Sequence, residues 1–323
     1  MAFLVLLQAT LTLALSGPPT SLEYLPVRVA GVEGEFARQG LQVSIRPMRS
    51  EPEAAETLAR GQAELAATSL EAALRFGSRN GRPPRLVFGL TAAPPVALLI
   101  PAATLETVRE VTDLAGRRVG ISSPGASEQS FLMALLGRAH LTITEISLLS
   151  LGERGVAAAL ARGTVDAGLV RDPWAHYLVD ERKAHILADF RRQAETQHWL
   201  GAPTVHAGLF VRAGHGPTDA QLAALARALL SAIHRLETAP PRDLLTRLPP
   251  EVGAVQEEGT IRLRSARELY LPDGWVEPEA ISASVAMVRA RAPLPRTVIL
   301  PRRPRDLLLL DPLRMALGRP GMR

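Results

Sequence analysis

The sequence predicts an α/β protein of two lobes, and three observations carry that prediction. A phrase recurs: Leu58-Ala59-Arg60-Gly61 runs into an acidic turn and a short apolar stretch, and Leu160-Ala161-Arg162-Gly163 does the same 102 positions later. That interval is too long for a solenoid repeat and suits one lobe following another. Short apolar runs alternate with amphipathic stretches through both halves, the pattern of strands and helices in open, mostly parallel sheets. With 323 residues and 47% hydrophobic content, the chain is long enough to bury two cores.

Met1 to Ser16 is almost wholly apolar, and Ala14-Leu15-Ser16 before Gly17 resembles a small-residue cleavage site. The segment lacks the basic start of an export signal and is short for a membrane span. Leu11 to Leu15 is therefore expected to be a buried first strand, leading into the polar loop Ser16 to Ser21. Leu22 to Phe36 reads as a helix, Gly40 to Ile45 as an alternating strand, and Pro52 to Arg60 as a helix. Glu51 and Glu53 lie in the first turn of that helix, where they complement its dipole. A strand is expected at Leu65 to Thr68, a helix at Leu70 to Phe76, and strands at Leu86 to Leu90 and Val96 to Ile100.

Asp113-Leu114-Ala115-Gly116 turns into a second series. Val119 to Ile121 reads as a strand, Glu128 to Arg138 as a helix and Thr144 to Leu149 as a strand. Glu153 to Arg162 reads as a helix, Val165 to Val170 as a strand and Trp174 to Asp180 as a helix. Gly208 to Val211 is a further strand, and Thr218-Asp219 opens a long helix through Leu236. A turn at Leu271 to Trp275 precedes a helix beginning near Pro278, and the Arg/Pro-rich tail from Pro293 is expected to wrap the first lobe. The implied division is 1–94 and 206–323 for the first lobe and 95–205 for the second. The chain would cross between them near Ala92 to Val96 and Thr204 to Gly208.

Several function classes find no support. The net charge of +5 is almost all arginine, Lys183 being the one lysine, and it is scattered rather than gathered into a nucleic-acid-binding stripe. Without cysteine there is no disulfide, thiolate metal site, thiol nucleophile or acylated lipoprotein cysteine. The seven histidines show no metal-ligand spacing, and neither a Gly-x-Ser-x-Gly elbow nor a phosphate-binding Gly/Lys loop occurs. No metal and no cofactor is expected.

The order and spacing of several segments together resemble a known family. They are Tyr24-Leu25-Pro26 with Gly34-Glu35-Phe36-Ala37-Arg38-Gln39-Gly40-Leu41, the Leu58 phrase, Asp113 to Gly120, Ala161 to Ala167 with Pro173, and Asp273-Gly274. From about Leu11 to Leu317 the chain resembles substrate-binding proteins of ABC importers for nitrate, sulfonates, taurine and pyrimidine precursors, of type 2 periplasmic-binding-protein fold. Glu64 stands where that family usually has Asp. The resemblance implies a periplasmic monomer that delivers a small anionic or heteroaromatic ligand to an inner-membrane ABC permease. The rival is an enzyme on the same two-lobed fold, similar to menaquinone-biosynthesis dehydratases or pyrimidine-synthesis proteins.

Ligands of open α/β sheets bind beyond the carboxyl ends of strands, which directs attention to five loops. The first holds Ser16, Thr20 and Ser21, with Tyr24 just after it. Thr68 and Ser69 end one strand and Thr91 ends another. Ser122, Ser123, Gly125, Ala126 and Ser127 lead into a helix whose free N–H groups suit an anion, although Ser127 as a plain cap is the simpler reading. Arg171, Asp172 and Trp174 form the most distinctive loop. There Arg171 has two candidate partners, an anionic ligand or Asp172, and Trp174 is either a stacking platform or lobe packing.

Overall fold

The alternating strands assemble into two separate five-stranded sheets in the computed structural model, which describes residues 10–123, 126–253 and 255–319. In chain order the strands are β1 (Leu11–Leu15), β2 (Val43–Pro47), β3 (Leu65–Ser69), β4 (Arg85–Thr91) and β5 (Val96–Pro101). They continue with β6 (Arg118–Ile121), β7 (Ser147–Ser150), β8 (Ala167–Arg171), β9 (Ala184–Asp189) and β10 (Ala207–Val211). One sheet has the order β2-β1-β3-β10-β4 and the other β7-β6-β8-β5-β9. The chain thus passes from one lobe to the other between β4 and β5 and returns before β10, giving the two crossovers expected.

β1 is a central strand, paired in parallel with β2 on one side and β3 on the other. Leu13, Ala14 and Leu15 are fully buried, which accounts for the largely apolar run. In each sheet one strand runs against its neighbours, β10 in the first and β5 in the second.

The recurring phrase has the same structural job twice. Gly61 and Gly163 both adopt positive φ and close the helices before them. The acid that follows then ties the next strand to its neighbour. Glu64 accepts the backbone N–H of Thr12 on β1 at 2.8 Å, and Asp166 accepts that of Arg118 on β6 at 2.9 Å. The longer Glu side chain makes the same strand-to-strand clasp as Asp, so the Glu64 departure leaves it intact.

Several local expectations need correction. The helix expected over Leu22 to Phe36 is a 3₁₀ turn at Leu22–Tyr24, a helix at Leu25–Val32 and a short helix at Glu35–Arg38. Gly34 at φ 73° breaks it. β2 and β7 begin about three residues later than expected. β9 and the helices Gln193–Leu200 and Gln256–Ala266 were not foreseen, because His185 and the polar face of Gln256–Ala266 blur the apolar period.

The C-terminal segment packs on the first lobe. Leu309 N donates to Leu86 O at 2.8 Å, Arg85 donates to Leu308 O, and the helix Asp311–Ala316 lies against Asp219–Thr238. The helix Pro278–Arg291 touches both lobes, packing on Glu128–Arg138 and on Leu70–Phe76. Ser284 on that helix accepts from Val205 N, and Thr204 donates to Ala92 O at 2.8 Å, so the two crossing segments are bonded to each other and to one helix.

Candidate functional site

Sheet order decides which residues share an edge. The carboxyl ends of β1, β3 and β4 and the start of antiparallel β10 fall side by side, so Ser16, Ser69, His206 and Thr91 lie along one rim of the first lobe. The 3₁₀ turn Leu22–Tyr24 puts Glu23 within the electrostatic reach of His206. In the second lobe the same logic gathers Ser122 after β6 and Arg171 at the end of β8.

The two rims meet. Arg171 donates to Glu23 Oε1 at 2.7 Å, with the Glu23 side chain 3% exposed. Ser130 donates to Glu71 Oε2 at 2.8 Å, and the rings of Phe131 and His206 meet edge to face at 5.6 Å. Ser265 donates to Asp172. Each contact joins the lobes, and together they describe a closed form.

Among the described residues, four buried polar atoms within this seam have no hydrogen-bond partner: Ser16 Oγ, Glu23 Oε2, Thr91 Oγ1 and His206 Nε2. All four residues are at most 3% exposed. Buried polar atoms are almost always paired, since leaving one unmet costs about 1–3 kcal/mol. Four on one rim make it the candidate site.

Charge on the rim is mainly carboxylate. Glu51 accepts from Tyr24 Oη at 2.7 Å and from Ser69 Oγ at 2.6 Å, both neutral donors. Glu128 accepts from the backbone and hydroxyl of Ser122 at 3.0 and 2.6 Å. Glu71 is matched by Arg75 and Arg291. Burial alone would raise the Glu23 pKa, but the charge of Arg171 and the hydrogen bond it donates outweigh it and hold the carboxyl below its usual range. The Arg171 guanidinium loses by burial and gains more from Glu23 and Glu128, so it stays firmly charged. Burial depresses His206, against the pull of Glu51 and Glu23, and keeps its imidazole neutral. Burial, then the charge of Glu51, raises the Tyr24 phenol well above its usual value.

The loops expected from sequence divide accordingly. Among the described residues Ser16 Oγ and Thr91 Oγ1 are buried without partners, while Tyr24, Thr68 and Ser69 converge on Glu51, the Thr68 hydroxyl donating to the Glu51 backbone carbonyl at 3.0 Å. Ser69 also caps its helix through Ala72 N. Thr20 and Ser21 are partly buried, in a loop held from below by Arg28 bonds to Gly17 O and Pro18 O. Gly125 lies outside the described residues. Ser127 does not cap its helix, contrary to the simpler reading, because its backbone is already helical. Ser123 is exposed and Ala126 N bonds to Ser123 O, so the loop's own turn takes up that N–H. Gln129 N and Ser130 N are likewise bonded, to Ala126 O and Ser127 O.

Arg171 does not pair with Asp172. It reaches Glu23, while the adjacent Asp172 turns to Arg191 at 2.9 Å and caps His176. Trp174 sits against Tyr177 and beneath the guanidinium of Arg154, among the second lobe's own packing residues. Sequence reasoning missed Glu23, Glu71, Glu128 and His206 and treated Glu51 as a helix-dipole residue. The signal for His206 was its place, one residue ahead of a strand inside an expected crossing.

The NMT1/THI5-like family profile matches residues 22–197. No curated protein sequence matches the chain. Among solved structures, a protein from Bordetella bronchiseptica RB50 superposes with TM-score 0.72 at 22% identity, over 96% of this chain and 98% of that one. The alkanesulfonate-binding protein SsuA from Xanthomonas axonopodis pv. citri, bound to MOPS, gives 0.65 at 19% identity, over 94% and 99%. The desulfurization enzyme DszB gives 0.57 at 14% identity, over 95% and 99%. At these identities the shared property is the two-lobed fold, which carries both binding proteins and an enzyme.

Proposed function

The chain belongs to the NMT1/THI5-like family, and from that premise we propose that it is the solute-binding component of an ABC importer, capturing a small ligand between its lobes. The observation that carries this reading is the rim of unpartnered buried atoms, Ser16 Oγ, Glu23 Oε2, Thr91 Oγ1 and His206 Nε2, facing a second lobe joined by two crossing segments. Hinge opening at those segments would admit the ligand, and bonds to both rims would favour the closed form that a permease recognises. This function places the protein in the periplasm, as a monomer, with an inner-membrane permease as partner and no nucleic acid.

Of the two ligand classes, an anion and a heteroaromatic precursor, the charge inventory favours the second. Among the described residues no cation is bonded to Glu51 or Glu128, and Arg171 is already committed to Glu23. An anion would meet carboxylates with one guanidinium to share. A neutral heteroaromatic bearing amino groups offers donors to those carboxylates. Calorimetry and thermal shift with aminopyrimidines, taurine, alkanesulfonates and nitrate test both levels. Saturable aminopyrimidine binding, weakened about tenfold by Glu51→Gln, is expected. Tight sulfonate or nitrate binding would overturn the ligand class, and no binding by any member would overturn the carrier reading.

One observation favours the enzyme alternative: a buried neutral imidazole, His206, next to a carboxylate is chemistry suited to proton transfer. Following the bound compound by NMR separates the two readings, because a carrier returns it unchanged.

A further inference from the structure

On the opposite edge of the first lobe, three arginines gather without a counter-charge. Gly61 precedes β3, Arg212 follows the end of β10, and the turn Arg79-Asn80-Gly81-Arg82 precedes β4. Since β10 runs against β3 and β4, these positions share the edge remote from the cleft. Arg79, Asn80, Arg82 and Arg212 line a solvent-open recess of about 480 Å³ together with Gly77, Ala213 and His215.

Three features of this recess are unfavourable as it stands. Arg79 and Arg82 face each other as a bridged pair, each N–H bonded to the other's carbonyl at 3.0 Å, which sets like charges directly opposite. A Cβ on Gly61 would run into the Nη1 atoms of both Arg212 and Arg79, so two guanidiniums converge over one glycine. Arg212 Nε is buried without a partner, and Asn80 holds a left-handed backbone at φ 51° to make the turn. Among the described residues, none of the side chains of Arg79, Arg82, Arg212 and His215 makes an ion pair or hydrogen bond. Arg75, Arg171 and Arg191 on the same chain are all matched by carboxylates.

We propose that this recess is a second ligand site, specific for a soluble phosphate-bearing compound held by Arg79, Arg82 and Arg212. Guanidiniums present planar pairs of donors that match phosphate oxygens, and one dianionic group between them would relieve the mutual repulsion. A concave recess suits a single soluble phosphate compound better than the flat array of headgroups on a lipid surface. This site is independent of the cleft reading: it shares no residue with the cleft and calls for the opposite charge.

Calorimetry of the full chain with inorganic pyrophosphate tests it. Saturable binding is expected, weakened about ten- to a hundredfold by Arg212→Gln and unchanged by the cleft variant Glu51→Gln. Should Arg212→Gln fail to fold, Arg79→Gln at an exposed position carries the same test. Removing one of the like charges should also raise the melting temperature of the ligand-free protein slightly, an effect a purely structural arginine would not give. The proposal falls if pyrophosphate shows no saturable binding, if the arginine variants bind unchanged, or if sulfate and chloride compete equally well. Co-sedimentation with phosphatidylglycerol vesicles without pyrophosphate binding would also overturn it, in favour of a lipid contact.

Discussion

The two rims that meet across the cleft are built differently. The first lobe's rim, from Ser16 through His206 to Thr91, is buried and holds four polar atoms with nothing to bond. On the second lobe's rim, Ser122, Glu128, Arg171 and Asp172 all have partners, two of them in the other lobe. Unmet bonds are a cost in the free protein and a gain once a ligand supplies the partner. Met bonds across the seam do the reverse, since they must break for the lobes to part. In the proposed reading, the first lobe recognises the ligand and the second closes over it.

The largest expected effect comes from removing the strand on which the recognising lobe depends. Deleting residues 1–16 takes away β1 between β2 and β3, along with the fully buried Leu13 and Leu15. Loss of two or more such side chains costs about 2–5 kcal/mol each, enough to exceed the stability of an ordinary domain. The truncated chain should aggregate or show no cooperative melting. A deletion that melts like the full chain would show that lobe 1 does not need β1.

Next is the closing contact. Arg171→Ala leaves Glu23 buried and charged with no partner, and breaking a buried pair from one side costs about 3 kcal/mol. Urea unfolding should record the loss, and small-angle scattering should show a more open average shape. A variant with unchanged stability and scattering would remove Arg171 from the closing role.

The unpartnered hydroxyls make the sharper test, because two readouts should move in opposite directions. Ser16→Ala and Thr91→Val each delete an unmet buried group, so the free protein should keep its stability or gain up to about 1 kcal/mol. Ligand affinity should fall about tenfold for either. If both stability and affinity fall, these hydroxyls serve the fold and not recognition.

The smallest effect is a dependence on pH. His206 has its pKa lowered by burial, so below about 6.5 the unfolded chain takes up a proton that the folded chain resists, and stability declines with acid. Glu23 has a lowered pKa in the folded state, so its contribution is present above the usual carboxylate range and is lost as pH falls through its folded value. Melting temperature should therefore fall in two stages on acidification, and His206→Gln should flatten the upper stage alone. A wild-type curve flat from neutrality down to the carboxylate range would contradict the burial of a neutral imidazole.

Local residue chemistry determined much of this protein on its own. Apolar runs five residues long, glycines after helices and the repeated Leu-Ala-Arg-Gly phrase were enough to forecast two α/β lobes, the strand at Leu11–Leu15 and both crossings. Each of those depends on neighbours in the chain, such as a period, a cap or a left-handed glycine. Loops at strand ends were also legible, because which end of a parallel strand faces a cleft follows from topology. What Arg171 bonds was not legible. Glu23 is 148 residues away, and only the closure of one lobe on the other brings them within 2.7 Å. The same is true of Glu71 with Ser130 and of His206 with Phe131. The vacant hydrogen-bond positions on the rim are tertiary facts as well, since a hydroxyl is unmet only once folding has taken water away from it and put no other donor or acceptor in reach.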